Sequence, residues 1–351
     1  MTGFFYLTPL FLATPSFSRN IPDAMPKLKN KSQKKLICWA VSDGRAGIEV
    51  QCTGLAEAMG LTPEIYHVKM KRPWHWLPPS LIPVHQSIYD QFPSKGEWPD
   101  LVIGCGRQAA IFNTLVRKQS HGKSFCIQVQ DPKISPNHFD LVITPEHDLL
   151  RGSNVLTTTG GFNRVTSQRL RDESTILSPR IAKLPRPLIA VLVGGKSKAY
   201  DLTTSVIQHL GTQLQKLHST TGCGFLITTS RRTGETNEIL LKQYLADLPA
   251  FIWDGTGHNP YFGFLGSAEA IIVTSDSVNM VTEAASTGKP VFTVNLEGGN
   301  KKFDRFHKQL EQKGITRPFS GRMESWSYSP LKETERMANE VLRRMQSQGR
   351  L

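Results

Sequence analysis

Hydroxyls, carboxylates and cations recur in this sequence just after short apolar runs, the carboxyl ends of strands where open α/β sheets bind ligands. In the stretch Ile271 to Asn295, Ser275, Asp276 and Ser277 close a β-branched run and open a compact helix that Gly288-Lys289-Pro290 ends. At about 100° per residue, Asp276, Asn279 and Glu283 share one side of that helix, with Val278, Val281 and Ala285 opposite. The serines suit a helix cap beside a phosphate, which free N–H groups and the positive dipole end would favour. Glu283, nearly two turns in, suits two hydrogen bonds from ribose hydroxyls. Gly194-Gly195-Lys196 and Ser230-Arg231 follow two further strands, where a glycine turn, an ammonium and a guanidinium suit a phosphate group. Asp43, in the turn Asp43 to Gly47, is a candidate general base. Each of these residues also has a purely structural use, as a cap, an ordinary turn or a solvated charge.

Positioning such groups requires strands that alternate with helices, and the sequence supplies them twice. Strands are expected over 36–42, 64–70, 100–104, 124–130, 139–144 and 154–159, with helices over 48–59, to about Lys118, and from GGFNRV to about Glu173. STILSPRIAKLPRP, with three prolines, reads as a connector. The pattern restarts with strands over 188–193, 224–229 and 251–253, and a long helix closes the chain over about 331–345. The fold class is α/β, two tandem Rossmann-like domains with a cleft between them. Their boundaries are a basic leader over 1–35, disordered or mis-started before Met25, then domains over 36–175 and 188–325. A linker over 176–187 joins the two, and a C-terminal helical segment over 326–351 is expected to pack back on the first domain.

Two familiar motifs fail in their details. Gly104-x-Gly106-x-x-Ala109 has the relaxed dinucleotide spacing but does not follow the first strand. Gly195-Lys196-Ser197 ends like a phosphate-binding loop, yet Ala190 stands where that loop needs its first glycine.

Hydrophobic content of 39% and charged content of 20% suit a globular chain of 351 residues. The net charge of +13 favours anionic partners, and the absence of a basic stripe interleaved with aromatics argues against nucleic acid. Five scattered cysteines read as buried thiols in a reducing compartment. No cluster has metal-ligand spacing and no Asp-x-Asp triplet occurs, so neither a metal site nor a cofactor is expected. Lys71 to Val84 has two tryptophans and four prolines; Trp74, Trp76, Leu77 and Leu81 either enter a membrane interface or pack on their own domain.

The runs SDGRAGIEVQCTGLAEAMG, QVQDP, GGFNRV, VGGKSKAY, TSRRTGE, WDGTGHNPYFGFLGSAEAIIVTSDSVNMVTEAASTGKPV and FDRFHKQLEQKGITRPFSG together resemble the mitochondrial-fission "elongated mitochondria" family of plants and its bacterial relatives. More distantly the chain resembles metal-independent glycosyltransferases with two Rossmann domains, the glycosyltransferase-B class, such as the peptidoglycan lipid-intermediate transferase. That likeness implies an acceptor side over 36–175, a nucleotide-sugar side over 188–325, and a donor-ribose role for Glu283. The acceptor loop is not transferable, because DGRAG replaces the glycine-rich loop of those transferases.

The expected function is metal-independent sugar transfer from a nucleotide-diphosphate donor to an acceptor, soluble or lipid-linked at an anionic membrane. Lys196 and Arg231 would neutralise the leaving diphosphate, and Gly194, Gly195, Ser230, Ser275, Asp276, Ser277 and Asn279 would complete the donor site. The alternatives are a nucleotide-sugar epimerase on the same fold and a non-catalytic membrane scaffold. A cytoplasmic location is expected, with peripheral attachment to the inner membrane if the tryptophan loop binds lipid.

Overall fold

Runs of β-branched and other apolar residues, unrelieved by alternation, form central parallel strands because both of their faces are covered by helices. In the computed structural model, which describes residues 36–93 and 98–351, such runs build two six-stranded sheets. The expected leader and alternative start at Met25 lie outside the described residues.

The first lobe comprises β1 (Cys38–Ser42), α1 (Ala46–Ala58), β2 (Glu64–His67), β3 (Leu101–Cys105), α2 (Arg107–Gln119), β4 (Phe125–Val129), β5 (Leu141–Pro145) and β6 (Val155–Thr158). Its strands are all parallel, in the order β2-β1-β3-β4-β5-β6. From β1 the chain steps outward to β2 and returns to β3 on the other side, so a topological switch point lies between β1 and β3.

After α3 (Ser167–Ile181), the second lobe follows: β7 (Leu188–Val193), β8 (Tyr200–Asp201), α4 (Thr204–Thr221), β9 (Gly224–Thr229), α5 (Glu235–Tyr244), β10 (Ala250–Ile252) and α6 (Tyr261–Ser267). It continues with β11 (Ala270–Thr274), α7 (Val278–Ala285), β12 (Val291–Val294), β13 (Glu297–Gly298), α8 (Lys301–Gln312), β14 (Thr316–Pro318) and α9 (Glu333–Ser347). The order β10-β9-β7-β11-β12-β14 sets a second switch point between β7 and β11. The short β8 and β13 pair antiparallel and, at two residues each, are too short to register as strands in the sequence pattern; β14, Thr316-Arg317-Pro318, has no apolar run to mark it.

Two segments differ from expectation. The helix expected to stop near Glu173 runs to Ile181, so the first half of the linker expected over 176–187 is helical. Pro179 falls in its last turn, and Leu177 and Ile181 are buried in the second lobe's core, an apolar gain that offsets one missing hydrogen bond. The chain therefore crosses between lobes earlier, around 159–166. Gly160 is required there, because a Cβ would collide with Thr282 of α7. The loop Lys71 to Val84, read as irregular, holds two single 3-10 turns, Trp74–Trp76 and Pro79–Leu81.

α9 returns to the first lobe, burying Met337, Ala338, Val341 and Met345 against Cys52, Leu55 and Ala56 of α1. α8 bridges in the same direction, with Lys302 paired to Asp148 at 2.5 Å. Asn163 donates to Ser286 at 3.0 Å. All five cysteines are free and buried, and burial pushes the Cys38 thiol up to about 12.

Candidate functional site

Between the first turn of α1 and the carboxyl edge of the second sheet lies a cleft of about 440 Å³. Its first-lobe wall is Ala46, Gly47 and Val50; its second-lobe wall takes residues 228–232, Trp253, Asn259, Tyr261, Ser277, Asn279, Met280 and Glu283. Ser230 and Arg231 thus come together with Ser277, Asn279 and Glu283 from two separate strand ends, those of β9 and β11.

Glu283 sits at the centre of this wall. It faces the cleft at 9% exposure while Val281, Ala284 and Ala285 pack inward. Its Oε2 accepts one hydrogen bond, from the Tyr261 hydroxyl at 2.6 Å. Burial pushes the carboxyl up to about 7, against the lowering effect of that bond. The Tyr261 hydroxyl is raised in turn, by burial and by the carboxylate beside it.

Ser277 caps α7 by accepting from the Met280 N–H at 3.3 Å. Ser230 holds its own turn, its hydroxyl accepting from the Arg232 N–H at 3.2 Å. Arg231 is exposed and forms no ion pair among the described residues. Asn279 spans the cleft: its Nδ2 donates to the Gly47 carbonyl at 3.0 Å and so fastens the lobes.

The remaining donor-site candidates are engaged inside the protein. Gly194 N–H donates to Thr274 Oγ1 at 2.7 Å, Gly195 N–H to Asp276 Oδ2 at 3.0 Å, and Lys196 N–H to the Arg232 carbonyl at 3.0 Å. The turn read as a phosphate cradle therefore has no free N–H to offer. The Lys196 ammonium pairs with Asp201 at 3.2 Å, outside the cleft. Asp276, read as facing a ligand, is buried and paired with Arg232 at 2.7 Å. Ser275 is buried too; its hydroxyl accepts from Leu296 N–H and its carbonyl from His307 Nε2 at 2.8 Å.

Asp43 lies outside the cleft wall. Both of its carboxylate oxygens take hydrogen bonds from Arg45, one at 2.6 Å. Partial burial alone would raise its carboxyl, but the Arg45 bonds and charge hold it below the usual range, which makes it a weak base. In the tryptophan loop, Trp76 and Leu81 are 64% and 65% exposed, whereas Trp74 and Leu77 pack partly against the first lobe's core.

Sequence reasoning gave no site role to Tyr261 or Trp253, and of the arginine doublet it named only Arg231. Tyr261 opens α6 directly after Asn259-Pro260, a helix-start signal that marks it as a positioned side chain. The doublet Arg231-Arg232 gave no sign of which arginine turns inward.

The family model for mitochondrial fission ELM1 matches residues 46–345. The chain is 28% identical to the mitochondrial fission protein ELM1 of Arabidopsis thaliana, over 98% of this chain and 99% of that protein. It is 26% identical to the uncharacterized protein RP120 of Rickettsia prowazekii (strain Madrid E), over 86% of this chain and 96% of that one. Among solved structures, UDP-GlcNAc 2-epimerase from Methanocaldococcus jannaschii superposes with a TM-score of 0.51 at 11% identity, over 88% of this chain and 99% of that one. The Neisseria meningitidis enzyme bound to UDP-GlcNAc gives 0.50 at 11%, over 89% and 99%. At that identity the likeness shows a shared two-lobed α/β fold of the glycosyltransferase-B kind.

Proposed function

The chain belongs to the mitochondrial fission ELM1 family, and on that premise we propose that it binds a nucleoside diphosphate sugar in the cleft and transfers the sugar, without a metal ion, to an acceptor. The observation that carries this reading is Glu283, a carboxylate enclosed on every side but the cleft and met by a single donor, Tyr261. A buried carboxylate of this kind calls for further donors, and the paired hydroxyls of a ribose supply them. Arg231 in the same wall offers an unpaired guanidinium to a diphosphate. Two proteins that share the fold are UDP-GlcNAc 2-epimerases, which supports a nucleotide sugar as the partner.

A second reading, binding without turnover, draws on the first-lobe wall. Ala46, Gly47 and Val50 carry no acid or base, and Asp43 is held by Arg45. Isothermal titration with UDP, GDP, UDP-GlcNAc and GDP-mannose tests the shared premise, and absence of heat with all four overturns it. Release of nucleotide from a bound sugar then separates turnover from binding, and conversion of the sugar with no acceptor present would indicate an epimerase.

The acceptor is proposed to be met at an anionic membrane surface, with the protein cytoplasmic and peripheral. Exposed Trp76 and Leu81 stand near Lys71 and Arg72, an apolar tip with cations around it. None of the helices described is long and apolar enough to cross a membrane. Replacing Trp76 and Leu81 together by serine should reduce flotation with vesicles containing phosphatidylserine; undiminished flotation would remove this loop from the account.

A further inference from the structure

The cleft is not the whole space at this edge of the second sheet. A cavity of about 520 Å³ adjoins it and shares Thr229, Ser230, Arg231 and Trp253 with it. Leu241 of α5 and Leu245 at its C-cap, with Ile252 at the end of β10 and Trp253 after it, give it apolar and aromatic walls. Its polar groups are fewer and of definite kinds. Asp254 closes its own turn, with Oδ1 accepting from Thr256 N–H at 2.9 Å and from its hydroxyl at 2.8 Å. Glu238 and Lys242, one helical turn apart on α5, remain. Glu238 Oε1 accepts from the Thr229 hydroxyl at 2.8 Å, and its other oxygen has no partner among the described residues. Lys242 forms no ion pair among them, so the wall presents an anionic acceptor beside a cationic donor that do not neutralise each other.

We propose that this cavity is a base subsite selective for guanine, so that the nucleotide taken by the adjoining cleft is a guanosine diphosphate derivative. The inference rests on the reading of the cleft as a nucleotide site. Along one edge guanine carries the O6 acceptor, then N1–H, then the N2 amino group. A carboxylate accepts from the last two together while an ammonium donates to O6, an arrangement Glu238 and Lys242 match in kind and order. Uracil has a single N–H between two carbonyls, so one carbonyl would lie against the carboxylate and be repelled. Adenine presents a donor where Lys242 needs an acceptor. Trp253 and the aliphatic side chains supply a surface for the planar ring.

The test is titration of the full chain with GDP, IDP and UDP, before and after Glu238→Gln, with melting curves to check that the variant is folded. GDP should bind about 10- to 100-fold tighter than UDP, the discrimination expected of one bidentate pair. IDP, which lacks only the 2-amino group, should fall between them, and Glu238→Gln should remove most of the preference. Equal or tighter binding of UDP overturns the guanine assignment and leaves the cleft as a nucleotide site. A GDP preference that survives Glu238→Gln overturns the role of Glu238. Failure of all three nucleotides to bind overturns the cleft reading and this one with it.

Discussion

Replacing Glu283 by alanine is expected to weaken nucleoside diphosphate binding by about 10- to 100-fold, because a hydrogen bond to a charged group contributes roughly 1.5–3 kcal/mol. Glu283→Gln is the sharper probe, since it keeps the shape and removes the charge. In the folded protein the carboxyl is raised from 4.5 to about 7, mainly by burial. Between those two pH values the folded chain therefore holds a proton that the unfolded chain has lost, and stability falls as pH rises through that window. Above it the full cost of the buried charge remains, on the order of 3 kcal/mol. Ligand binding should run the opposite way: ribose hydroxyls donate best to the ionised carboxylate, so affinity should rise as pH passes about 7. The parent protein then gains affinity and loses stability over overlapping pH ranges. The glutamine variant should do neither, melting above the parent at pH 8 and close to it at pH 4.5. Calorimetric titration and thermal melting at both pH values decide the matter. A variant that binds like the parent throughout would take Glu283 out of the site, and a melting difference that ignores pH would mean the group is not ionised there.

What could be read from the sequence divides along a physical line. Buried parallel strands announce themselves, because a run such as Leu188 to Val193 must be apolar at every position, and it was legible almost to the residue. The end of α3 was not. Pro179 looks like a breaker locally, and only the core that receives Leu177 and Ile181 explains why the helix continues. In the site, helical periodicity placed Glu283 on the presented face, where it lines the cleft. The same periodicity placed Asn279 there, which also lines the cleft, and Asp276, which does not, because periodicity ranks faces of one helix and is blind to what other segments bring. Asp276 precedes the helix and meets Arg232 from a different strand end; Asn279 meets Gly47 from the other lobe. Both are long-range contacts, and no local pattern encodes them.

Arg231 and Arg232 are adjacent in sequence, yet their removal should have opposite consequences. Arg232 donates to the Gly195 carbonyl at 2.9 Å and pairs with Asp276 at 2.7 Å, drawing the ends of β7, β9 and β11 together at the switch point. Gly195 is part of the same device, since a Cβ there would collide with the Arg232 carbonyl. In Arg232→Ala, the Asp276 side chain, 0% exposed, would keep only the Gly195 N–H as a donor. Its Oδ1 is buried without a partner already. Removing one member of a buried pair strands the other charge, at a cost of roughly 3–5 kcal/mol. Because Arg232 itself is 40% exposed, a loss of about 3 kcal/mol is the better expectation. Lysine should recover only part of it, since an ammonium cannot fork between the carbonyl and the carboxylate. Arg231→Ala should change stability by no more than about 0.5 kcal/mol, as exposed side chains without partners usually do. It should instead weaken diphosphate binding by about tenfold or more, through the lost charged hydrogen bond. Urea unfolding and nucleotide titration of the two variants side by side give the answer. Equal stability of the two would show that Asp276 finds another partner when Arg232 is gone, and equal affinity would show that the guanidinium of Arg231 does not reach the diphosphate.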